Sequence, residues 1–379
     1  MKLNNLMKKS AMLLCMGLMM TACGGDDPDP SPLDSSKTAI LTQYVNGVVV
    51  PTYKSLADNA IQLSDICADL RKNPSQELVN QACAKWIEAR KYWELSEAFL
   101  YGAAADYNID PHIDSWPLQK SNLDNVLANE SLMAELDEDG AAADGFSTLG
   151  YGLLGFHAVD YVLFRDGAPR SVGDISEKEL IYNAAVAEDL ANQTVRLEAA
   201  WAGLDRVTAA KRKMLEDAEL EPTTNYGEQM IQAGYAGNVN YKTQIDAMVQ
   251  ILQGASDISD EVGNTKITDP INSGNVLDVE SWYSWNSIAD FTDNVRSVRN
   301  AYYGSLDGKV NSNSLAAYCA RNHAALDSQV REAIEHAITT VAAMPAPFRN
   351  HLTLAENQSA IAACNELMAA LDAVIEAMQ

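Results

Sequence analysis

Apolar residues recur at helical spacing along most of the chain. Leu180, Ala184, Ala187, Leu190, Thr194, Leu197, Trp201 and Leu204 follow steps of three or four, as do Ile361, Cys364, Met368, Leu371, Ile375 and Met378. Such spacing lines one face of a helix, the face a bundle buries. Strand-like alternation with paired turn signals is scarce. The periodicity predicts eight principal helices, near 38–71, 76–102, 147–165, 176–204, 223–255, 282–304, 312–343 and 349–378. Long loops are expected at 104–120 and 256–281, with irregular or short helical structure at 121–146 and 206–221. About four main helices on each side of the 206–221 link predict an all-α protein of two helical bundles, 37–205 and 206–379.

Polar residues interrupt the seams in three places. Val79, Cys83, Trp86, Arg90, Trp93, Glu97 and Leu100 read as one stripe, which puts Arg90 and Glu97 where apolar side chains belong. Isolated buried charges are costly, so both should be paired or face a hydrated cleft. On the third helix Leu149, Leu153, Phe156, Asp160 and Leu163 form a seam, and His157 precedes Asp160 by one turn. An imidazole and a carboxylate at this spacing can supply half of a metal site, or simply hydrogen-bond to each other. Gly152 and Gly155 beside them permit close approach of another backbone or a ligand. On the sixth helix Ser287, Asp290, Asn294 and Ser297 make a polar stripe poor in the better helix formers Lys and Glu. It suits a cleft lined by oxygens, or a polar helix interface.

Composition is globular, with 379 residues that are 47% hydrophobic and 21% charged. Lys and Arg number 27 against 52 Asp and Glu, a net charge of −25. The first 22 residues carry Lys2, Lys8 and Lys9 and no acid, so their removal leaves 24 basic against 52 acidic side chains. A surface this acidic, without a basic stripe, repels phosphate backbones and excludes nucleic acid as a partner.

A basic start, the short Met- and Leu-rich core Ser10–Met20 and then Thr21-Ala22-Cys23 resemble a bacterial lipoprotein signal, 1–22, with lipidation expected on Cys23. Residues 23–36, beginning Gly24-Gly25-Asp26-Asp27-Pro28, read as an acidic Gly/Pro tether. The chain is therefore expected to be exported and lipid-anchored in the bacterial cell envelope, with the outer membrane favoured and the leaflet open. Export agrees with Cys67, Cys83, Cys319 and Cys364 forming two hairpin disulfides, Cys67 with Cys83 and Cys319 with Cys364, the preferred pairing over buried free thiols. No C-x-x-C occurs, which argues against thiolate metal or redox chemistry.

The stretch Trp93-Glu94-Leu95-Ser96-Glu97-Ala98-Phe99-Leu100-Tyr101-Gly102, then Ile113-Asp114-Ser115-Trp116-Pro117, Gly155-Phe156-His157-Ala158-Val159-Asp160-Tyr161, Glu280-Ser281-Trp282-Tyr283-Ser284, and Ser287, Asp290 and Asn294 stand in a specific order. In that order they resemble the imelysin-like family, also catalogued as M75 peptidases. The resemblance implies two helical-bundle domains with a functional cleft at their interface. It also implies a G-x-H-x-x-E motif, met here by Gly155, His157 and Asp160, with Asp in place of Glu. The carboxylate is one methylene shorter, which puts metal binding at that pair in question.

The expected metal- or ligand-binding residues are His157, Asp160, Glu94 and Glu97, with Asp114, Ser287 and Asp290 as further cleft candidates. Carboxylates, hydroxyls and one imidazole suit iron, with zinc the alternative. The favoured reading is an exported lipoprotein that binds a metal ion or metal chelate for uptake, working with an envelope transport partner. A metallopeptidase is the second reading, although no H-E-x-x-H and no G-x-S-x-G elbow occur. His112 is placed to approach the cleft, whereas His323, His336 and His351 are expected on late helices away from it. An adhesion or scaffold lipoprotein with a vestigial site is the third.

Overall fold

The computed structural model describes residues 33–138, 141–143, 149–353 and 355–379. The expected signal segment, Cys23 and most of the tether lie outside the described residues. Helix α1 (Ser35–Tyr44) is capped by Asp34, which accepts from the Ser36 amide, and a π-helical stretch, Val45–Val49, joins it to α2 (Val50–Lys72). Helix α3 (Gln76–Glu94) starts at Ser75, whose hydroxyl accepts from the Leu78 amide. Short helices α4 (Ala103–Asp106), α5 (Ile109–Ile113), α6 (Lys120–Ala128) and α7 (Glu130–Leu136) follow, then α8 (Gly155–Leu163). A minimal antiparallel pair, β1 (Phe164–Arg165) with β2 (Ala168–Pro169), leads to α9 (Glu177–Ala202), which opens on a capping box of Ser176 and Glu179.

Beyond α9 come α10 (Ala209–Asp217), α11 (Tyr226–Ile231) and α12 (Gln244–Glu261), the last started by a Thr243–Asp246 capping box. A second π-helical stretch, Val262–Ile267, runs into α13 (Thr268–Ser273). Helices α14 (Ser287–Tyr303), α15 (Leu315–Asn322), α16 (Ala324–Ala342) and α17 (Ala355–Met378) complete the all-α fold. Helix α2 packs between α3 and α9, while α12 and α16 pack on α17 and α14 crosses to α3. Residues Leu33–Gln379 form one compact unit whose main hydrophobic core draws on both groups of helices. None of the described helices is long and apolar enough to cross a membrane.

The α9 seam is buried as its spacing predicts, with Leu190, Thr194 and Leu197 fully inside. Other boundaries differ from expectation. Helix α3 ends at Glu94 rather than near 102, so Glu97 and Leu100 leave its face. The cause is tertiary. Ser297 Oγ on α14 accepts the Ala98 amide at 3.0 Å, while Asn294 Nδ2 donates to the Glu94 carbonyl at 3.4 Å. The expected helix 223–255 is broken into α11 and α12, and 312–343 breaks at His323. The expected loop 256–281 is largely helical, through the π stretch and α13. The disulfide expectation fails: Cys67, Cys83, Cys319 and Cys364 are all free and buried. Each packs in the hydrophobic core as a small apolar side chain, and burial pushes the Cys67 and Cys364 thiols up to about 12.

A buried carboxylate cluster as the candidate cation site

The starting residue of α8 builds the site. Gly155 has φ +70°, and a Cβ there would lie 2.0 Å from the Ile113 carbonyl oxygen. Only glycine permits this approach, which packs the end of α5 against the start of α8. Asp114, the residue after α5, thereby meets His157, with Oδ1 3.0 Å from Nε2. Trp93 Nε1 on α3 donates to Asp114 Oδ2 at 2.7 Å. Asp114 also takes a close ion pair from Arg90 Nη1.

Arg90, fully buried, is the hub. Its Nη2 lies 2.5 Å from both Glu94 Oε1 and Glu280 Oε1, and its Nε lies 3.8 Å from Asp290 Oδ1. Lys266 on the second π stretch adds a second cation, with Nζ 3.0 and 3.1 Å from the two oxygens of Glu280 and 4.0 Å from Glu97. Ser287 Oγ donates to the Glu280 carbonyl at 2.5 Å, and Asn286 Nδ2 donates to Asp290 Oδ1 at 2.7 Å. Asn294 Nδ2 donates to Glu94 Oε2. The polar stripe of α14 is thus an interface with the end of α3, and its Asp290 reaches the cluster.

Asp160 sits apart from the convergent donors. Its Oδ2 accepts the Tyr283 amide at 3.2 Å, and Oδ1 has no hydrogen-bond partner among the described residues. His112 does not approach the cluster; its Nε2 pairs with Asp189 on α9 at 2.8 Å. His336 is exposed beside Glu366.

Among the described residues two sets of donor atoms converge within 4.8 Å: Asp114, His157 and Glu280, and Glu94, Glu97 and Asp114. Asp114 belongs to both. Glu94, Glu97 and Asp114 were legible in the sequence, as was His157. Glu280 and Lys266 were not assigned to the site. Glu280 opens the Glu-Ser-Trp-Tyr-Ser motif, an acid two residues before an aromatic pair, and that juxtaposition was the available signal.

Five buried carboxylates, Glu94, Glu97, Asp114, Glu280 and Asp290, thus face the charges of Arg90 and Lys266. Burial opposes the charge of Arg90, but Asp114, Glu94 and Glu280 outweigh it and keep the guanidinium charged. Burial likewise acts on Asp114, yet Arg90 and His157 hold that carboxyl below the usual range. Elsewhere burial wins. Glu94 and Glu97 are raised well above the ordinary value, Asp160 is pushed up to about 6 and Asp290 to about 7. A cavity of about 230 Å³ leads in from the surface, lined by Glu97, Asp110, Asp114, Trp116, Glu261 and Lys266 among others. Burial and the neighbouring Asp114 and Glu261 push Asp110 up to about 7. A larger cavity, about 910 Å³, lies along Ala68, Ala184 and Ala191, but no convergent donor set lines it among the described residues.

Comparison with known proteins identifies the family. The imelysin family model, M75 in the peptidase catalogue, matches residues 49–374. The chain belongs to the imelysin family. It is 25% identical over 364 residues to iron-regulated protein A of Synechococcus elongatus, covering 96% of this chain and 90% of that protein. The crystal structure of an iron-regulated protein A precursor from Parabacteroides distasonis is similar with a TM-score of 0.79 and 30% identity, over 92% of this chain and 96% of the other. An imelysin-like protein from Psychrobacter arcticum shares the fold at a TM-score of 0.59 and 14% identity, over 90% of this chain and 92% of that one.

Proposed function

We propose that the protein binds a metal cation, with iron favoured and zinc the alternative, at the carboxylate cluster centred on Asp114. The carrying observation is charge. Five buried carboxylates face two permanently charged partners, and a purely structural network would be expected to balance. Either protons or a cation must relieve the excess, and a cation satisfies oxygen donors that protons leave poorly paired. The residues fit such a group. Asp114 is common to both donor sets, Glu94 and Glu97 complete one and His157 and Glu280 the other. His157 Nε2 and Asp290 Oδ2 have no well-aligned hydrogen bond among the described residues. Carboxylates with one imidazole suit iron or manganese better than thiolate-seeking metals. The ion supplies charge neutralisation; the chain's residues bind and orient it.

The relatives' printed name, iron-regulated protein A, supports iron as the favoured ion. Export, lipidation at Cys23 and anchoring in the outer membrane belong to the same proposal, as do the two bundles 37–205 and 206–379. Presented there, the protein would capture the ion or its chelate and pass it to an envelope transport partner. Hydrolysis is less well supported. The chain carries no H-E-x-x-H zinc-peptidase motif and no G-x-S-x-G elbow.

The test is elemental analysis of the mature chain after dialysis against limiting iron, zinc, manganese and calcium, beside Asp114→Asn and His157→Ala. Near-stoichiometric metal in the wild type, lost in Asp114→Asn, is expected. Wild-type protein that retains none refutes the proposal. Casein cleavage by the loaded protein would establish the peptidase instead.

A further inference from the structure

Lys266 is an unusual partner for a cation site, because its own charge lies among the donors. Its Nζ touches Glu280 of one donor set and approaches Glu97 of the other. Unlike Arg90, it also lines the cavity that opens to the surface. Its carrier is the π-helical stretch Val262–Ile267, which continues α12. The wider i→i+5 turn of a π-helix brings Lys266 onto the face of Glu261, five residues earlier and 3.8 Å away. The Glu261 side chain is 42% exposed at the cavity mouth, and the Trp116 ring lies 4.9 Å from Nζ.

We propose that Lys266 is a resident counter-ion that an incoming multivalent cation displaces toward Glu261, and that this displacement makes the site reject monovalent ions. The inference rests on the cation-site reading above. Displacement is a rotation of a flexible four-carbon stem carrying a compact ammonium. Nζ leaves Glu280, keeps an ion pair with Glu261 and stays over the Trp116 ring; no covalent bond changes. Arg90 stays, held from the interior by Asp114, Glu94 and Glu280 with no exposed surface. A potassium or sodium ion would replace one unit charge by another and still lose its hydration shell, so it gains nothing. A divalent ion brings a further charge to a cluster with surplus carboxylates.

The test compares the full mature chain with Lys266→Met and Asp114→Asn by calorimetric titration with Mn²⁺, and with Fe²⁺ under anaerobic conditions, each with and without excess K⁺. The expected result is at least tenfold tighter Mn²⁺ binding by Lys266→Met, together with K⁺ competition that the wild type does not show. Wild-type binding that Lys266→Met leaves equal or weakens overturns the displacement while leaving the cation site standing. Absence of Mn²⁺ and Fe²⁺ binding in both proteins overturns the two readings together. A measurement on unaltered protein covers the case in which the variant fails to fold. Lys266 acetylation by a water-soluble reagent, followed by peptide mass spectrometry, should accelerate several-fold on adding Mn²⁺ to a chain that binds it. An unchanged rate overturns the displacement.

Discussion

Replacing Arg90 by methionine isolates the contribution of the hub. Methionine keeps much of the stem volume and removes the guanidinium facing Asp114, Glu94, Glu280 and Asp290. Breaking a buried ion pair from one side costs about 3–5 kcal/mol, because the charge left behind has neither water nor partner. Here several carboxylates share the loss, and protonation is their only relief. Without Arg90 the already raised Glu94 and Asp290 rise further and Asp114 loses the partner that holds it low, so the variant loses more stability than the wild type as pH rises. Urea unfolding of the metal-free mature chain should therefore show a deficit of about 3–5 kcal/mol at pH 7.5. It should shrink to roughly 1–2 kcal/mol at pH 5.5, where raised groups such as Asp290 are protonated. A deficit below about 1 kcal/mol at pH 7.5, or one that widens on acidification, would refute the picture of Arg90 as the clamp on a charged cluster.

The wild type carries a pH signature of its own. Asp160, raised to about 6, and Asp290 and Asp110, each raised to about 7, bind more protons folded than unfolded. Their contribution is complete below the ordinary carboxylate pKa and is lost as pH rises through 6 to 7. Metal-free protein should thus gain roughly 2–4 kcal/mol between pH 7.5 and 5.5 by urea titration, and a stability that is flat or falls over that interval contradicts it. Asp114 has the opposite sign, but its loss falls below the usual carboxylate range and outside this window. Gly155→Ala should cost about 2–4 kcal/mol, since φ +70° is strained for alanine and the Ile113 carbonyl blocks the new Cβ. Gly152→Ala, whose Cβ would meet only the movable Gln119 side chain, should cost under about 1 kcal/mol; equal costs for the two would show that close backbone approach does not hold Asp114 beside His157.

Features governed by local spacing were legible in the sequence. The α9 seam, the all-α class and the expectation that Arg90 is buried and either paired or facing a cleft all followed from three-and-four periodicity; Glu97 is buried as well, although it lies beyond the end of α3. What spacing could not supply was tertiary. Residues 95–102 keep helical character in their sequence, yet α3 stops because Ser297 takes the Ala98 amide from a helix some two hundred residues away. Lys266 sits in Asn-Thr-Lys-Ile-Thr, a stretch whose polar composition reads as loop, and only the continuation of α12 as a π-helix brings its ammonium to Glu280. The cysteines failed for a related reason: flanking a turn at similar distances does not say which way two thiols point, and here all four side chains belong to the core.

The Asp-for-Glu departure at position 160 gains a physical meaning from this arrangement. Asp160 lies on α8 one turn after His157, and its Oδ2 accepts the Tyr283 amide in the segment between Glu280 and α14. That segment carries left-handed backbone at Ser281 (φ 51°) and Trp285 (φ 63°), conformations uncommon for such residues. Glu280 just before it and Asp290 in the first turn of α14 both face Arg90. A short carboxylate at 160 therefore holds the strained segment that presents two of the cluster's acids, while Asp114, Glu94, Glu97, His157 and Glu280 converge without it. On this geometry position 160 supports the site from behind, and the missing methylene does not count against a cation bound around Asp114.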